Sequence, residues 1–309
     1  MIRAVLVTGA TGFIGSHVVR RCAELGWSAW AWTRDPVRAR AQLGATATCV
    51  GRLEEIPSDA PIDAVVNLAG APVIGPPWTQ ARRRLLIDSR VKTTQAVLEW
   101  SARRATRPHV IVSASAIGFY GPADDRWLDE SSPPQPASFQ SQLCMAREQA
   151  AGAAAELGMR VVNLRIGVVL GADGGLLPRL VLPAKFGVAA VLGDGRQWMS
   201  WLHIDDLLRV VELALTEESL AGPVNAVSPE PVQQREFQRA LTRKLRRPLW
   251  LRVPAWVLNS ALGEMAELLV RSQRVAPRRL AGLGFEFRYP RIHEGIEAAL
   301  DAALRPERS

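Results

Sequence analysis

The sequence predicts an α/β fold, in which helices cover both faces of a parallel β-sheet and a smaller lobe follows. Three observations predict it: an apolar strand-like run at the N-terminus, a glycine turn leading into an amphipathic helix, and a continued alternation of strand-like and helix-like segments. Of the 309 residues, 48% are hydrophobic and 22% are charged, which is enough apolar material for a large core.

The first elements form a nucleotide-binding unit. IRAVLV, residues 2–7, is a buried-strand run, and the glycine turn TGATGFIG, residues 8–15, follows it. The segment FIGSHVVRRCAEL begins within this motif at residue 13, and its apolar residues recur at helical spacing up to Gly26. WSAWAWT, residues 27–33, then gives a second strand. Strand, glycine turn, helix and strand in this order predict a Rossmann-type doubly wound parallel sheet.

Each glycine of the turn has a physical role in dinucleotide binding. Gly9 permits the tight turn, Gly12 lets a pyrophosphate approach the backbone, and Gly15 lets the helix pack on the strand. The helix N-terminus offers free N–H groups to the phosphates. The candidate cofactor-binding residues of this loop are Gly9, Thr11, Gly12, Phe13, Ile14 and Gly15.

The end of the second strand favours NADP(H) over NAD(H). An arginine at this place accommodates the 2′-phosphate of NADP, whereas an acidic residue binds the ribose 2′-hydroxyl of NAD. The chain reads Thr33-Arg34-Asp35, so Thr33 and Arg34 are candidate NADP contacts. Asp35 is the competing NAD residue, but it precedes Pro36 and is equally suited to starting a turn.

Two later segments add cofactor candidates. IDAVVNLAG, residues 62–70, is a buried strand ending in small residues that allow close approach of a ligand, which makes Leu68, Ala69 and Gly70 candidates. A plain turn is the alternative for Gly70. The proline-free segment from residue 79 to 104 predicts a long helix, on which Arg90 is placed either toward the phosphates or in solvent.

These segments, together with NLAGAPV, SRVKTTQ, SASAIGFYG, RIGVVLG and SWLHIDDL in this order, resemble the epimerase-type, atypical extended short-chain dehydrogenases/reductases. The C-terminal part from VPAWVLNSAL to FEFRYP resembles that family's additional domain of unknown function. The resemblance implies NADP(H) contacts at the glycine loop, Thr33, Arg34, Leu68, Ala69, Arg90 and Val169. The name epimerase describes a fold and does not define an activity here.

Catalysis by the usual route of that superfamily needs a Tyr-x-x-x-Lys pair, which this chain lacks. FQSQLCMARE places Phe139 and Leu143 at the corresponding positions, and neither of the two tyrosines, Tyr120 and Tyr289, has a lysine four residues later. Losing positioned acid–base help typically costs ~10²–10⁴ in rate. The candidate catalytic residues are Tyr120 as a replacement proton donor, with Ser113 or Ser115 as substrate hydrogen-bond donors; a tyrosine packed at a strand end is the alternative.

The remaining chain predicts a substrate-side lobe. We expect an NADP-binding domain over residues 1–170, completed by about 205–228, and a smaller lobe from 171–204 and 229–309. A helix is expected over residues 176–190. We expect Trp198 and Trp201 either to line a ligand site or to pack in the core. We expect His203 to have a structural role, just before a helix that Asp205 or Asp206 caps.

Composition restricts the partners. The net charge is +8, but the arginines are dispersed and no basic tail or aromatic-interleaved basic motif appears, so nucleic acid is not expected. Three scattered cysteines and four histidines predict a reducing, cytoplasmic setting without a metal site. With no apolar run long enough to span a bilayer, no membrane partner is expected, only a small-molecule substrate.

Two functions follow from the sequence. The first is an NADP(H)-dependent oxidoreductase or epimerase-like enzyme with a noncanonical acid. The second is a non-catalytic NADP(H)-binding sensor or regulatory module. The substrate-side lobe favours the enzyme.

Overall fold

The computed structural model describes residues 2–304; residue 1 and residues 305–309, at the outer ends of the two predicted domains, lie outside the described residues. The strands are β1 Ala4–Thr8, β2 Ser28–Trp32, β3 Thr48–Val50, β4 Ala64–Asn67, β5 Val110–Ala116, β6 Trp127–Leu128, β7 Arg160–Ile166, β8 Val168–Leu170, β9 Ala190–Leu192, β10 Trp198–Met199, β11 Trp201–His203, β12 Gly222–Ala226, β13 Val232–Gln233, β14 Leu251–Val253 and β15 Arg274–Val275. The α-helices are α1 Phe13–Glu24, α2 Pro36–Leu43, α3 Gln80–Ala102, α4 Phe139–Gly152, α5 Leu177–Lys185, α6 Ile204–Thr216, α7 Gln234–Leu245, α8 Ala255–Leu262, α9 Glu267–Val270, α10 Arg278–Gly282 and α11 Ile292–Leu304.

Seven strands form one parallel sheet in the order β12-β7-β5-β4-β1-β2-β3. The direction in which the chain adds strands reverses between β1 and β4. In open α/β sheets such a reversal leaves a crevice at the carboxyl ends of the strands, where ligands bind. The predicted doubly wound parallel sheet is therefore confirmed, and its switch point lies beside the glycine turn.

Both faces of the sheet are buried. Along β1, Val5 and Val7 belong to the core under α1, α2 and α6, whereas Ala4 and Leu6 belong to the core under α3. This alternation follows from the two-residue period of a strand, and burial on both faces explains why the strand is continuously apolar. No helix of the described chain has an apolar stretch long enough to cross a membrane.

The second lobe packs around its own core, to which Trp201, Phe237 and Ile296 contribute. The helix expected over 176–190 is shorter than predicted: α5 ends at Lys185, after Pro183, and β9 follows. The helix ends at a glycine cap: Gly187 has a φ of +78°, its N–H donates to the Ala184 carbonyl, and the Val188 N–H donates to the Pro183 carbonyl.

The expected cap of α6 is also corrected. The N-terminal cap is His203, whose Nδ1 accepts the backbone N–H of Asp205 at 3.2 Å. Asp206 is instead buried and accepts the backbone N–H groups of Arg288 and Tyr289 at 2.8 and 2.9 Å. This carboxylate ties the C-terminal segment to the sheet domain. Burial lowers the pKa of His203, which agrees with the structural role expected for it.

Gly15→Ala should destabilise the fold. A Cβ at Gly15 would lie 2.1 Å from the carbonyl oxygen of Gly9, so the helix would have to move away from the turn. Overpacking of this kind costs about 1–3 kcal/mol, which exceeds the gain in helix propensity. Gly152→Ala is the matched control because it lies in helical backbone with no atom within 4 Å of the added Cβ. Urea unfolding should show a loss only for Gly15→Ala; equal stability of the two variants would contradict the close packing.

Candidate functional site: the cofactor crevice and an apolar cavity

The glycine turn fits closely against the end of β4. Gly9 has a φ of +69°, and a Cβ there would lie 2.9 Å from backbone atoms of Leu68 and Ala69. Gly12 is the N-terminal cap of α1, with no side chain bonded to the first turn. The N-terminal N–H groups of a helix without a side-chain cap are ready partners for an anion. The residues present therefore fit the diphosphate of a dinucleotide.

The turn after β4 lies beside Arg90. The Arg90 guanidinium donates to the carbonyl oxygens of Leu86 and Ala71 at 2.8 and 3.1 Å, and a Cβ at Gly70 would lie 2.8 Å from its central carbon. Burial lowers the pKa of Arg90. The structure thus brings the predicted residues of the 68–70 turn together with Arg90, which is held by backbone oxygens and is not freely solvated.

At the end of β2, the two candidate contacts for the adenosine ribose, Arg34 and Asp35, have different surroundings. Asp35 caps α2, with its Oδ1 accepting the backbone N–H of Arg38 at 3.0 Å. Arg34 follows Thr33 directly after the strand, and its side chain is exposed. The carboxylate is thus engaged in a helix cap while the guanidinium is accessible at the carboxyl edge of the sheet.

Val169 lies near Phe13 of the glycine loop: a Cβ at Gly175 would lie 2.8 Å from the Val169 carbonyl oxygen and 3.1 Å from the Phe13 ring. Val169 is buried in β8, where it pairs with Leu202 of β11 and packs in the core of the sheet domain. The cofactor contact implied for it stays a prediction.

An apolar cavity of about 260 Å³ opens beyond the carboxyl ends of β5 and β7. Its walls come from four parts of the chain: the loop after β4, the strand ends, the first turns of α4, and the segment from α9 to β15. The lining includes Phe139, Leu143, Cys144, Glu267, Leu268 and Arg271.

The cavity presents hydrocarbon where the superfamily resemblance places acid–base groups. Phe139 and Leu143 both line it, and the Phe139 ring packs edge-on against Trp78 with centroids 5.1 Å apart. Burial, and to a lesser extent Glu148, raises the pKa of the lining Cys144 thiol to about 11. Glu267 and Arg271 also line the cavity and form a loose ion pair at 3.9 Å. Most of the remaining lining is apolar.

The predicted catalytic side chains lie in a buried network. Ser115 Oγ donates to Glu148 Oε1 at 2.6 Å, and the two carboxylate oxygens of Glu148 accept from the Arg165 guanidinium at 3.0 and 2.9 Å. Arg165 also donates to the Tyr120 hydroxyl at 3.0 Å, which donates to Asn225 Oδ1 at 2.7 Å. The network joins β5, α4, β7 and β12.

This placement speaks against Tyr120 as the proton donor. Its side chain is fully buried, its hydroxyl is committed to two partners, and burial raises its pKa. Neither Tyr120, Ser113 nor Ser115 lines the apolar cavity. Ser113 is fully buried, and its hydroxyl has no hydrogen-bond partner among the described residues. Sequence proximity to a strand end therefore suggested an exposure that the fold does not provide.

The two tryptophans have structural positions. Trp201 is fully buried and donates its indole N–H to the carbonyl oxygen of Glu230, and Trp198 donates to Asp125. The cavity wall instead uses Leu268 and Arg271, which the sequence analysis missed. The only available signal for them was their position in the C-terminal segment that resembles an additional family domain.

Comparison with known proteins agrees with this architecture. Residues 5–226 match the model of the NAD dependent epimerase/dehydratase family, and residues 253–302 match a domain of unknown function, DUF1731. The chain belongs to the NAD dependent epimerase/dehydratase family. Epimerase family protein YfhF of Bacillus subtilis is 33% identical over 291 residues, covering 92% of this chain and 94% of the relative.

Two solved structures of family members bear on the site. The human epimerase family protein SDR39U1 (isoform 2), solved with NADPH, has a TM-score of 0.86 and 28% identity, over 96% of this chain and 99% of that one. MoeE5, solved with UDP-glucuronic acid and NAD, has a TM-score of 0.77 and 26% identity, over 96% of this chain and 98% of that one. The family thus binds NAD(P), with either nucleotide seen in similar structures.

Glu148→Ala should strongly destabilise the protein. It leaves the guanidinium of Arg165, whose side chain is 5% exposed, without its carboxylate partner. Removing one partner of a buried pair typically costs about 3–5 kcal/mol. Glu24→Ala removes a carboxylate 3.0 Å from Arg21 at the surface and should cost about 0–1 kcal/mol. Chemical unfolding measures both; a loss at Glu148 as small as that at Glu24 would show that the network is dispensable for stability.

Proposed function

We propose that this chain is an NADP(H)-dependent oxidoreductase whose substrate is a conjugated carbonyl compound, such as an enone or a quinone. The observation that carries the proposal is the apolar cavity at the carboxyl edge of the sheet. Phe139 and Leu143 line it, and by the family resemblance they correspond to the usual tyrosine and lysine. The cavity is built for a ring or an apolar chain, and it contains no tyrosine for proton transfer in its described lining.

The choice of NADP(H) rests on the end of β2. Asp35 is used as a helix cap, so its carboxylate is poorly placed to accept from a ribose 2′-hydroxyl, whereas exposed Arg34 suits a 2′-phosphate. The human relative solved with NADPH supports this choice. The glycine turn and Arg90 would hold the diphosphate part.

The missing tyrosine and lysine restrict the chemistry. A bound nicotinamide supplies or accepts the hydride. Reduction of an isolated ketone generates a localised alkoxide, so it benefits strongly from a positioned acid. An enone or quinone that gains a hydride becomes a delocalised enolate or phenolate, which water can protonate. The residues of this chain then have to orient the acceptor, and the apolar lining of the cavity is suited to that.

Arg34→Ala should weaken NADPH binding and leave NADH binding nearly unchanged. A hydrogen bond to a charged group contributes about 1.5–3 kcal/mol, so the Kd for NADPH should rise roughly 10- to 150-fold. Titration of the purified protein by nicotinamide fluorescence measures both constants. Arg107→Ala, at an exposed site distant in sequence from the turn, is the control. An equal change for both nucleotides would refute a 2′-phosphate contact.

NADPH oxidation should be faster with a naphthoquinone or cyclic enone than with aliphatic ketones. Leu268→Trp, which adds bulk to the cavity wall away from the glycine turn, should raise the KM for the active acceptor about tenfold, since a mismatch of methylene size already costs about 1–3 kcal/mol. NADPH affinity should not change. Leu258→Trp, on α8 and outside the cavity lining, is the control.

Tight NADPH binding without turnover of any conjugated carbonyl compound would contradict the oxidoreductase proposal. It would favour the cofactor-binding sensor instead. An unchanged KM in Leu268→Trp would place the reaction outside this cavity.

A further inference from the structure

Large apolar side chains are exposed on one surface of the second lobe. Leu182, Phe186, Val188, Trp250 and Leu251 have exposed fractions of 64, 79, 53, 76 and 40%. These five residues are called the apolar face below. Isolated exposed apolar residues need no explanation, but a group of them marks an interaction site.

The fold brings the members of the apolar face together from two parts of the chain. Strand β14 pairs in parallel with β9, so that Leu251 lies opposite Ala190, and the Trp250 indole N–H donates to the carbonyl oxygen of Gly187 at 3.1 Å. Leu182 and Phe186 are four residues apart at the end of α5, which is about one helical turn. Trp256, 70% exposed, follows in α8.

The charge around the apolar face is exclusively basic along both segments. Residues 175–193 contain two basic and no acidic residues, and residues 237–263 contain six basic and no acidic residues. These eight positive charges equal the formal net charge of +8 of the whole chain. Lys185, Arg246, Arg247 and Arg252 are exposed. The acidic residues near these segments are few: Glu297 and Asp301 of α11 pair with Lys244, and Asp173, Asp194, Glu236 and Glu264 lie just beyond the segment ends.

We propose that the apolar face docks on the surface of an anionic lipid bilayer. Exposed tryptophan and phenylalanine side chains favour the boundary between headgroups and acyl chains, and leucine and valine insert below it. Arginine and lysine extend their charged ends toward lipid phosphates while their stems cover apolar surface. The sequence-based expectation of no membrane partner rested on bilayer-spanning segments alone, and this proposal departs from it.

Charge decides against the other occupants of such a face. A second copy docked through the same face would bring two predominantly basic surfaces together, and like charges across an interface oppose binding. Nucleic acid would use the arginines and stack bases on aromatic rings, but it gives no role to exposed Leu182 and Val188. An anionic bilayer uses both the charges and the aliphatic side chains.

Vesicle co-sedimentation of the full-length protein tests the proposal. The two probes are vesicles of phosphatidylcholine alone and vesicles of equal parts phosphatidylcholine and phosphatidylglycerol. Binding to the anionic vesicles should be at least about tenfold tighter and should weaken as salt rises, because each basic residue near such a surface contributes about 1 kcal/mol. Arg246→Glu/Arg247→Glu and, separately, Phe186→Ser/Trp250→Ser should each reduce binding about tenfold or more.

Matched variants outside the face make the test specific. Arg84→Glu/Arg107→Glu makes the same charge change at exposed positions elsewhere, and Leu85→Ser/Leu283→Ser removes two other exposed apolar side chains. Both should bind as the unaltered protein does, with thermal unfolding confirming that every variant is folded. Absence of binding to anionic vesicles, or binding that Phe186→Ser/Trp250→Ser leaves intact, would overturn the proposal. Equal losses of binding in the matched variants would show that the binding surface lies elsewhere. If the protein does not bind vesicles but dimerises as its concentration rises, and Phe186→Ser/Trp250→Ser abolishes the dimer, the face is assigned to a second copy.

Discussion

The ion pair between Glu148 and Arg165 joins helix α4 to strand β7 directly beneath the apolar cavity. Around it, Ser115, Tyr120 and Asn225 complete their hydrogen bonds, so that β5 and β12 are fixed to the same point. Separating the two groups would leave each buried charge without its partner, and this costs a large free energy. The positions of Leu143 and Phe139, five and nine residues before Glu148 on α4, depend on this attachment. The shape of the cavity follows from it.

The same network explains why polar side chains near the strand ends do not line the cavity. Tyrosine and serine side chains that in sequence stand beside the expected reaction site are turned inward, where they satisfy buried charges. The lining of the neighbouring cavity is therefore mostly apolar.

The second lobe has two different surfaces. One side supplies Leu268 and Arg271 to the cavity, and the other carries the apolar face with its basic surroundings. The two proposals rest on separate observations and fail separately. Together they describe an enzyme for apolar acceptors working beside a bilayer, where apolar compounds concentrate.

The sequence by itself determined the features that depend on short-range spacing. The glycine turn, Arg34 after β2 and the lack of a Tyr-x-x-x-Lys pair follow from residues within a few positions of each other, and the alternation of strand-like and helix-like segments predicted the parallel sheet. The structure has the turn and the sheet as predicted. The bonding of Ser115 to Glu148, the burial of Tyr120 and the contribution of Leu268 to the cavity did not follow from it. Tertiary structure decided these, because they join residues 33 to more than 100 positions apart. A hydroxyl near a strand end looks the same in sequence whether it meets substrate or a buried charge, and only the packing of the distant chain distinguishes the two.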